Sequence, residues 1–257
     1  MSLKDEACCR QGTPVDHPPV GATVGTVQKL QSSSADSQLP IYKTGSGRRV
    51  GIVAAYDIFG FEVEQTRLFC DELAAAVDGT VVMPDYFRGR AWKQFPIEDQ
   101  AEFFKWIGEV ADAGKAIRDT FDTVIPYMRQ QLGDDCPVAI IGFCWGGWVV
   151  ALTLADSSNP FACGVGLHPS RQSAEDIAKI RAPIALFPAE NDPEMAEFLD
   201  GIPDKELAAR CLHKRFIGVQ HGFCTKRSDR EKPDTLAKVQ EANRDTAEFI
   251  LERTRRN

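Results

Sequence analysis

The chain has no run approaching the roughly 18 consecutive apolar residues of a membrane span, so no transmembrane helix is expected. It has no Lys/Arg cluster of nucleic-acid type, and its net charge is −7, so a nucleic-acid partner is not expected. The opening MSLKDEACCRQG carries charge early and lacks the apolar centre of a secretory signal. Eight cysteines are present (Cys8, Cys9, Cys70, Cys136, Cys144, Cys163, Cys211 and Cys224), but none forms a C-x-x-C pair. Reduced thiols in a cytoplasmic protein are the simplest account, and no ligand spacing supports a zinc site. Neither a metal nor a cofactor is expected. No repeat of solenoid period and no linker divide the chain. Histidine is scarce: only His17, His168, His213 and His221 could serve as a base.

The 257 residues are 43% hydrophobic and 26% charged, enough to bury one sizeable core in a single unit. Residues 1–40 are rich in Gly, Ser, Pro and Gln and read as a largely irregular N-terminal extension, in which GTVQKLQ has a strand pattern. A second strand pattern, LPIYKTG, crosses into the domain read over 41–257. From there strands and helices alternate. RRVGIVAAYD is a short buried strand. EVEQTRLFCDELAAAV puts Leu68, Phe69, Leu73, Ala76 and Val77 on one helical face. GTVVMPDY is a strand. A helical region follows, broken near Pro96 and Gly108, and Pro126 should kink or split its continuation. CPVAIIGF is the most apolar strand and should be central. WGGWVVALTLA is a helix, FACGVGLH and APIALFPAEND contain strands, and PEMAEFLDGIPDKELAARC is helical in part. HKRFIGVQ reads as a strand and DTLAKVQEANRDTAEFILERT as a closing helix. The alternation predicts an α/β protein with a mostly parallel central sheet flanked by helices on both faces.

Within AIIGFCWGGWVV, residues 139–150, the segment Gly142-Phe143-Cys144-Trp145-Gly146 reads G-x-C-x-G between a buried strand and a helix. This is the nucleophile-elbow pattern with cysteine in place of serine. A sharp strand-to-helix turn strains the nucleophile's backbone and needs small neighbours. It also puts the sulfur at a helix N-terminus, which favours a thiolate. The Trp145 N–H would then point at a developing oxyanion. A thiol nucleophile needs a base, and the base needs an orienter. His17 falls in the Pro-rich extension, while His168 and His213 flank strands and suit structural roles. His221, in GVQHGFC, follows a predicted strand. Asp192 ends PAEND after the preceding one, where a bare turn aspartate is the alternative reading. The chain order Cys144, Asp192, His221 is nucleophile, acid, histidine.

These residues resemble the dienelactone hydrolases (carboxymethylenebutenolidases), closest to their eukaryotic branch. The resemblance runs from about residue 40 onward through YDIFGF (56–61), PDYFRG (84–89), GFCWGG (142–147), AEND (189–192) and HGF (221–223). It implies an α/β-hydrolase fold and a Cys144–Asp192–His221 triad, with oxyanion donors at the Ile58 and Trp145 backbone N–H groups. Where the bacterial enzymes carry a glutamate that restrains the resting cysteine, this chain has Asp57, one methylene shorter; a strand-end turn acid is the alternative. The family's substrate-carboxylate arginines have loose counterparts in Arg88 or Arg90 and in Lys226 or Arg227. Solvated surface charge is the competing reading for all four. Trp145 and Trp148 suit either a pocket wall or core packing, and Cys224 suits packing. The resemblance implies cleavage of an ester or lactone in a small acidic molecule through a thioester acyl-enzyme; a monomer or weak homodimer is expected. The alternatives are a carboxylesterase or thioesterase of other substrate class and, in another class, a non-catalytic binding or signalling protein or a thiol redox sensor.

Overall fold

A computed structural model of the chain describes residues 21–32 and 38–255. Cys8, Cys9 and His17 lie outside the described residues. Eight strands form one sheet: β1 (Thr26–Gln31), β2 (Gln38–Thr44), β3 (Gly51–Ala55), β4 (Thr80–Pro84), β5 (Val138–Phe143), β6 (Cys163–Leu167), β7 (Ile184–Phe187) and β8 (Leu212–His213). Their order is β1-β2-β4-β3-β5-β6-β7-β8. β2 pairs antiparallel with β1 and β4, and every other pairing is parallel. The division expected at residue 40 falls inside β2, and β1 joins the sheet as its edge.

The helices are α1 (Glu64–Val77), α2 (Gln100–Glu109), α3 (Ala113–Asp119), α4 (Ile125–Leu132), α5 (Trp145–Ala155), α6 (Ala174–Ile177), α7 (Ala196–Asp200), α8 (Lys205–Ala209) and α9 (Pro233–Arg253). None of the described helices is long and apolar enough to cross a membrane. Every residue of β3 to β7 is buried, as strands covered on both faces require. Successive strand residues point to opposite faces. Ile52, Ala54, Ala139 and Ile141 therefore join Phe69, Leu73, Val239 and Phe249 of α1 and α9 in one cluster. Val53, Val138 and Ile140 join Val124, Met128, Val150 and Leu154 in the other. Each of these buried Val, Leu, Ile, Met and Phe side chains contributes roughly 1.5–3 kcal/mol of burial energy, the alanines less.

Several expectations are adjusted. α1 buries Ala74, whereas Ala76 is exposed. α2 ends at Glu109, one residue past Gly108 where a break was expected; Asp112 then caps α3 by accepting the Lys115 N–H. The α-helical path is split at Pro126 as expected, α4 beginning at Ile125 with Pro126 in its first turn. A π-helical turn at Thr120–Val124 links α3 to α4, widening the coil just before the residue that has no N–H to donate. The strand read over HKRFIGVQ shrinks to Leu212–His213. Pairing persists irregularly, Lys214 N–H to Leu186 O at 3.1 Å and Phe216 N–H to Pro188 O at 2.8 Å, until Gly218 turns the chain at φ 85°.

The chain moves from β3 outward to β4 and then crosses back to β5. Connections thus leave the neighbouring strands β3 and β5 in opposite directions. A crevice opens at their carboxyl ends, where open α/β sheets bind ligands.

Candidate active site

Cys144 lies between β5 and α5 with φ 52° and ψ −112°, a strained conformation for a residue with a side chain. Three backbone bonds hold it there. Its N–H donates to Leu167 O at 3.1 Å, and its carbonyl accepts from Gly147 N–H and Ser170 N–H, both at 3.0 Å. The elbow's glycines are required by proximity. A Cβ on Gly142 would lie 2.1 Å from Gly146 O, and one on Gly146 would lie 2.1 Å from Ala55 O. The G-x-C-x-G spacing is thus a packing requirement between β3, β5 and α5.

Asp192 and His221 come from the loops after β7 and β8. Asp192 Oδ1 and His221 Nδ1 are 2.6 Å apart, and Asp192 Oδ2 accepts the Ala189 N–H at 2.7 Å. With Asp192 ionised, Nδ1 carries the hydrogen and Nε2 is left as the basic nitrogen. Burial opposes charge on the ring, but Asp192 and then Cys144 outweigh it, so His221 holds a proton more tightly than an ordinary imidazole. Nε2 makes no hydrogen bond of normal geometry, although Cys144 is near enough to act on it electrostatically. Asn191 fixes the histidine's backbone by accepting the His221 N–H at 2.7 Å. Arg215 braces the acid loop through the Ala189 and Asp192 carbonyls at 2.7 and 2.9 Å.

The segment after β3 completes the crevice. Asp57, Ile58, Phe59, Cys144, His221, Gly222 and Arg227 line a narrow cleft. The Ile58 N–H and the Trp145 N–H, the first of α5, donate to no protein acceptor among the described residues, as an oxyanion site requires. Asp57 is buried, and Oδ1 accepts the Phe59 N–H at 2.9 Å. Burial first, and the charge of Cys144 second, raise its carboxyl from 3.8 to about 6, against hydrogen bonds from Thr225 and Phe59 and the charge of Arg227.

The four basic candidates part company. Arg227 reaches the cleft, with its guanidinium 4.6 Å from the Phe95 ring and one N–H on His221 O at 3.3 Å. Arg88 is engaged elsewhere, pairing with Asp119 and with Asp85 O, each at 2.9 Å. Arg90 is exposed and Lys226 half-buried, and neither lines the cleft. The Trp145 ring is core, packed on Tyr56, Tyr86 and Phe87 with its N–H on Ala111 O at 2.8 Å. Trp148 is partly buried beneath the Arg171 guanidinium. Cys224 is fully buried, and burial pushes its thiol up and away from reactivity. His213 pairs with Glu194 at 3.2 Å, whereas His168 is fully buried with its ring edge-to-face 5.0 Å from His221. The contacts of His168, Ser170, Asn191 and Arg215 escape sequence reading, because each acts on a site residue from another part of the chain. Among the described residues no cluster of three or more His, Cys, Asp or Glu could hold a metal ion. A larger groove between α1 and α9, lined by Ala76, Asn243 and Ala247, contains none of these site residues.

The Klebsiella pneumoniae putative dienelactone hydrolase superposes with a TM-score of 0.64 at 17% identity, covering 91% of this chain and 99% of that one. The shared architecture is the α/β-hydrolase fold. The carboxymethylenebutenolidase homolog of Rattus norvegicus is 29% identical over 205 residues, 77% of this chain and 80% of the relative. That of Homo sapiens is 28% identical over the same length. The model of the dienelactone hydrolase family matches residues 39–253, a span that runs from within β2 to the end of α9 and takes in every candidate site residue, and the chain belongs to that family.

Proposed function

We propose that this protein hydrolyses an ester or lactone bond in a small acidic molecule, using Cys144 as nucleophile, His221 as base and acid, and Asp192 as the orienter of His221. The observation that carries the reading is the convergence at the β3–β5 crevice of a strained cysteine, a buried His221–Asp192 pair and two backbone N–H groups with no acceptor among the described residues. His221 Nε2 takes the thiol proton as the sulfur attacks the carbonyl carbon. The carbonyl oxygen becomes an oxyanion between the Ile58 and Trp145 N–H groups. When the intermediate collapses, the carbon–oxygen bond breaks and His221 returns the proton to the departing oxygen. The acyl group is left on sulfur as a thioester; in a lactone both fragments stay in one molecule. Water deprotonated by His221 then attacks the thioester, releasing the acid and restoring the thiol. Arg227, which lines the cleft beside Phe95, offers a cationic partner for a carboxylate on a planar group.

The test is turnover of activated aryl esters and acidic enol-lactones by wild type, Cys144→Ala and His221→Ala. Each substitution should lower turnover by about a thousandfold or more, because triad members act as a unit. Folded Cys144→Ala protein turning over at the wild-type rate would refute the reading.

A further inference from the structure

The loop after β6 is built onto the nucleophile in a way that the triad does not explain. His168 and Arg171 both have positive φ, 36° and 57°, although neither is glycine. Between them Pro169 is wedged onto α5: a Cβ added to Gly147 would lie 2.4 Å from Pro169 Cβ. The Ser170 N–H donates to Cys144 O at 3.0 Å, and Gln172 Nε2 donates to Ser170 O at 3.1 Å. Backbone strain of this kind persists only where the surroundings over-determine it, and it gathers at functional sites. Its product here is specific. Ser170 is buried, and its hydroxyl has one protein partner among the described residues, the Cys144 sulfur, whose S–H donates to Ser170 Oγ at 3.6 Å.

We propose that Ser170 is a further functional residue of the nucleophile: its hydroxyl accepts from the resting thiol and donates to the thiolate once that forms. The proposal rests on Cys144 being the nucleophile, as argued above. A hydroxyl is both donor and acceptor and reorients by rotating one bond. Ser170 Oγ has no other hydrogen-bond partner among the described residues, so its hydrogen is available to the sulfur once the thiolate forms. Asp57, which lines the cleft together with Cys144, raises the free energy of the thiolate by like-charge repulsion. A charge-assisted O–H···S⁻ bond from Ser170 offsets that repulsion without adding a net charge.

The experiment measures the rate of Cys144 alkylation by iodoacetamide against pH, with mass spectrometry assigning the modified residue, alongside kcat and KM for an aryl ester. Ser170→Ala should raise the alkylation midpoint by about one pH unit, a tenfold loss of thiolate below it. It should also lower kcat about tenfold with KM within about twofold, as for loss of one hydrogen bond to a charged group. Ser170→Thr, which keeps the hydroxyl, should restore both. An unchanged or lowered midpoint in folded Ser170→Ala protein would overturn the proposal. Should that variant not fold, Ser170→Gly, which also removes the hydroxyl, is read in its place. The readout is separate from hydrolysis. A midpoint that moves in a protein without ester turnover sinks the proposed function and keeps Ser170's role. Loss of turnover in Cys144→Ala together with an unmoved midpoint does the reverse.

Discussion

Asp57→Asn should stabilise the protein at neutral pH while impairing it as an enzyme. Asp57 is a buried carboxyl whose folded-state pKa is raised from 3.8 to about 6, by burial first and by the charge of Cys144 second. An acid raised in this sense contributes stability that is fully present below its unfolded pKa and is lost as pH rises through the folded value. A shift of about two units corresponds to about 3 kcal/mol once both states are ionised. Asparagine is nearly isosteric, still accepts the Phe59 N–H and carries no charge. Wild type and variant should therefore have equal stability below about pH 4, and the variant should gain progressively up to about pH 7. The plateau should be about 3 kcal/mol, less roughly 1 kcal/mol if the new amide N–H group is left unpaired. For a chain of this length the gain appears as a rise of roughly 4–12 °C in Tm. Urea unfolding at a series of pH values measures it directly. In the same variant Cys144 should alkylate faster near neutral pH, because the like charge opposing the thiolate has gone, and productive turnover should slow. A stability difference that is flat with pH, or wild type the more stable at pH 8, would refute the electrostatic argument. Alkylation profiles that overlay would reduce Asp57 to a turn residue at the end of β3.

The remaining expectations are simpler. Arg227→Gln should raise KM for an acidic lactone by about 10- to 100-fold, the scale of one charge-assisted hydrogen bond, with little effect on a neutral ester. Arg88→Gln, which breaks a pair with Asp119 away from the cleft, should treat the two substrates alike, and steady-state kinetics on both separates the cases. Gly146→Ala should lose roughly 3 kcal/mol or fail to fold, since the added Cβ meets backbone at 2.1 Å and backbone cannot step aside. Denaturant unfolding measures this, and a fully stable, active Gly146→Ala protein would mean that the elbow relaxes more easily than its close contacts allow.

The elbow was legible in the sequence because there local covalent pattern and local geometry are the same thing. G-x-C-x-G between an apolar run and a helix describes one tight turn, and its glycines are dictated by contacts within that turn and against β3. The α/β alternation fixed the layers, because strands buried on both faces read as unbroken apolar runs. Asp192 and His221 could be ordered along the chain because each follows a strand. Their 2.6 Å contact, however, depends on β7 and β8 lying side by side. The length of β8 did not show, since Gly218 and the pairing beyond His213 cut short a run that looks like a strand.

Only the tertiary structure chose among the four basic residues. Arg88 and Arg227 are equally plausible as charges in a string; an acid on α3 claims the first, and the turn after His221 delivers the second to the cleft. It likewise decided that the Trp145 ring is core, by placing three aromatic rings around it. It also put His168 against the His221 ring and Ser170 against the Cys144 sulfur. Sequence determines which residues share a turn or a helix face, because those distances are set by bond geometry over a few residues. Contacts between loops at the ends of different strands are set by strand order, and in this chain that order crosses over between β4 and β5.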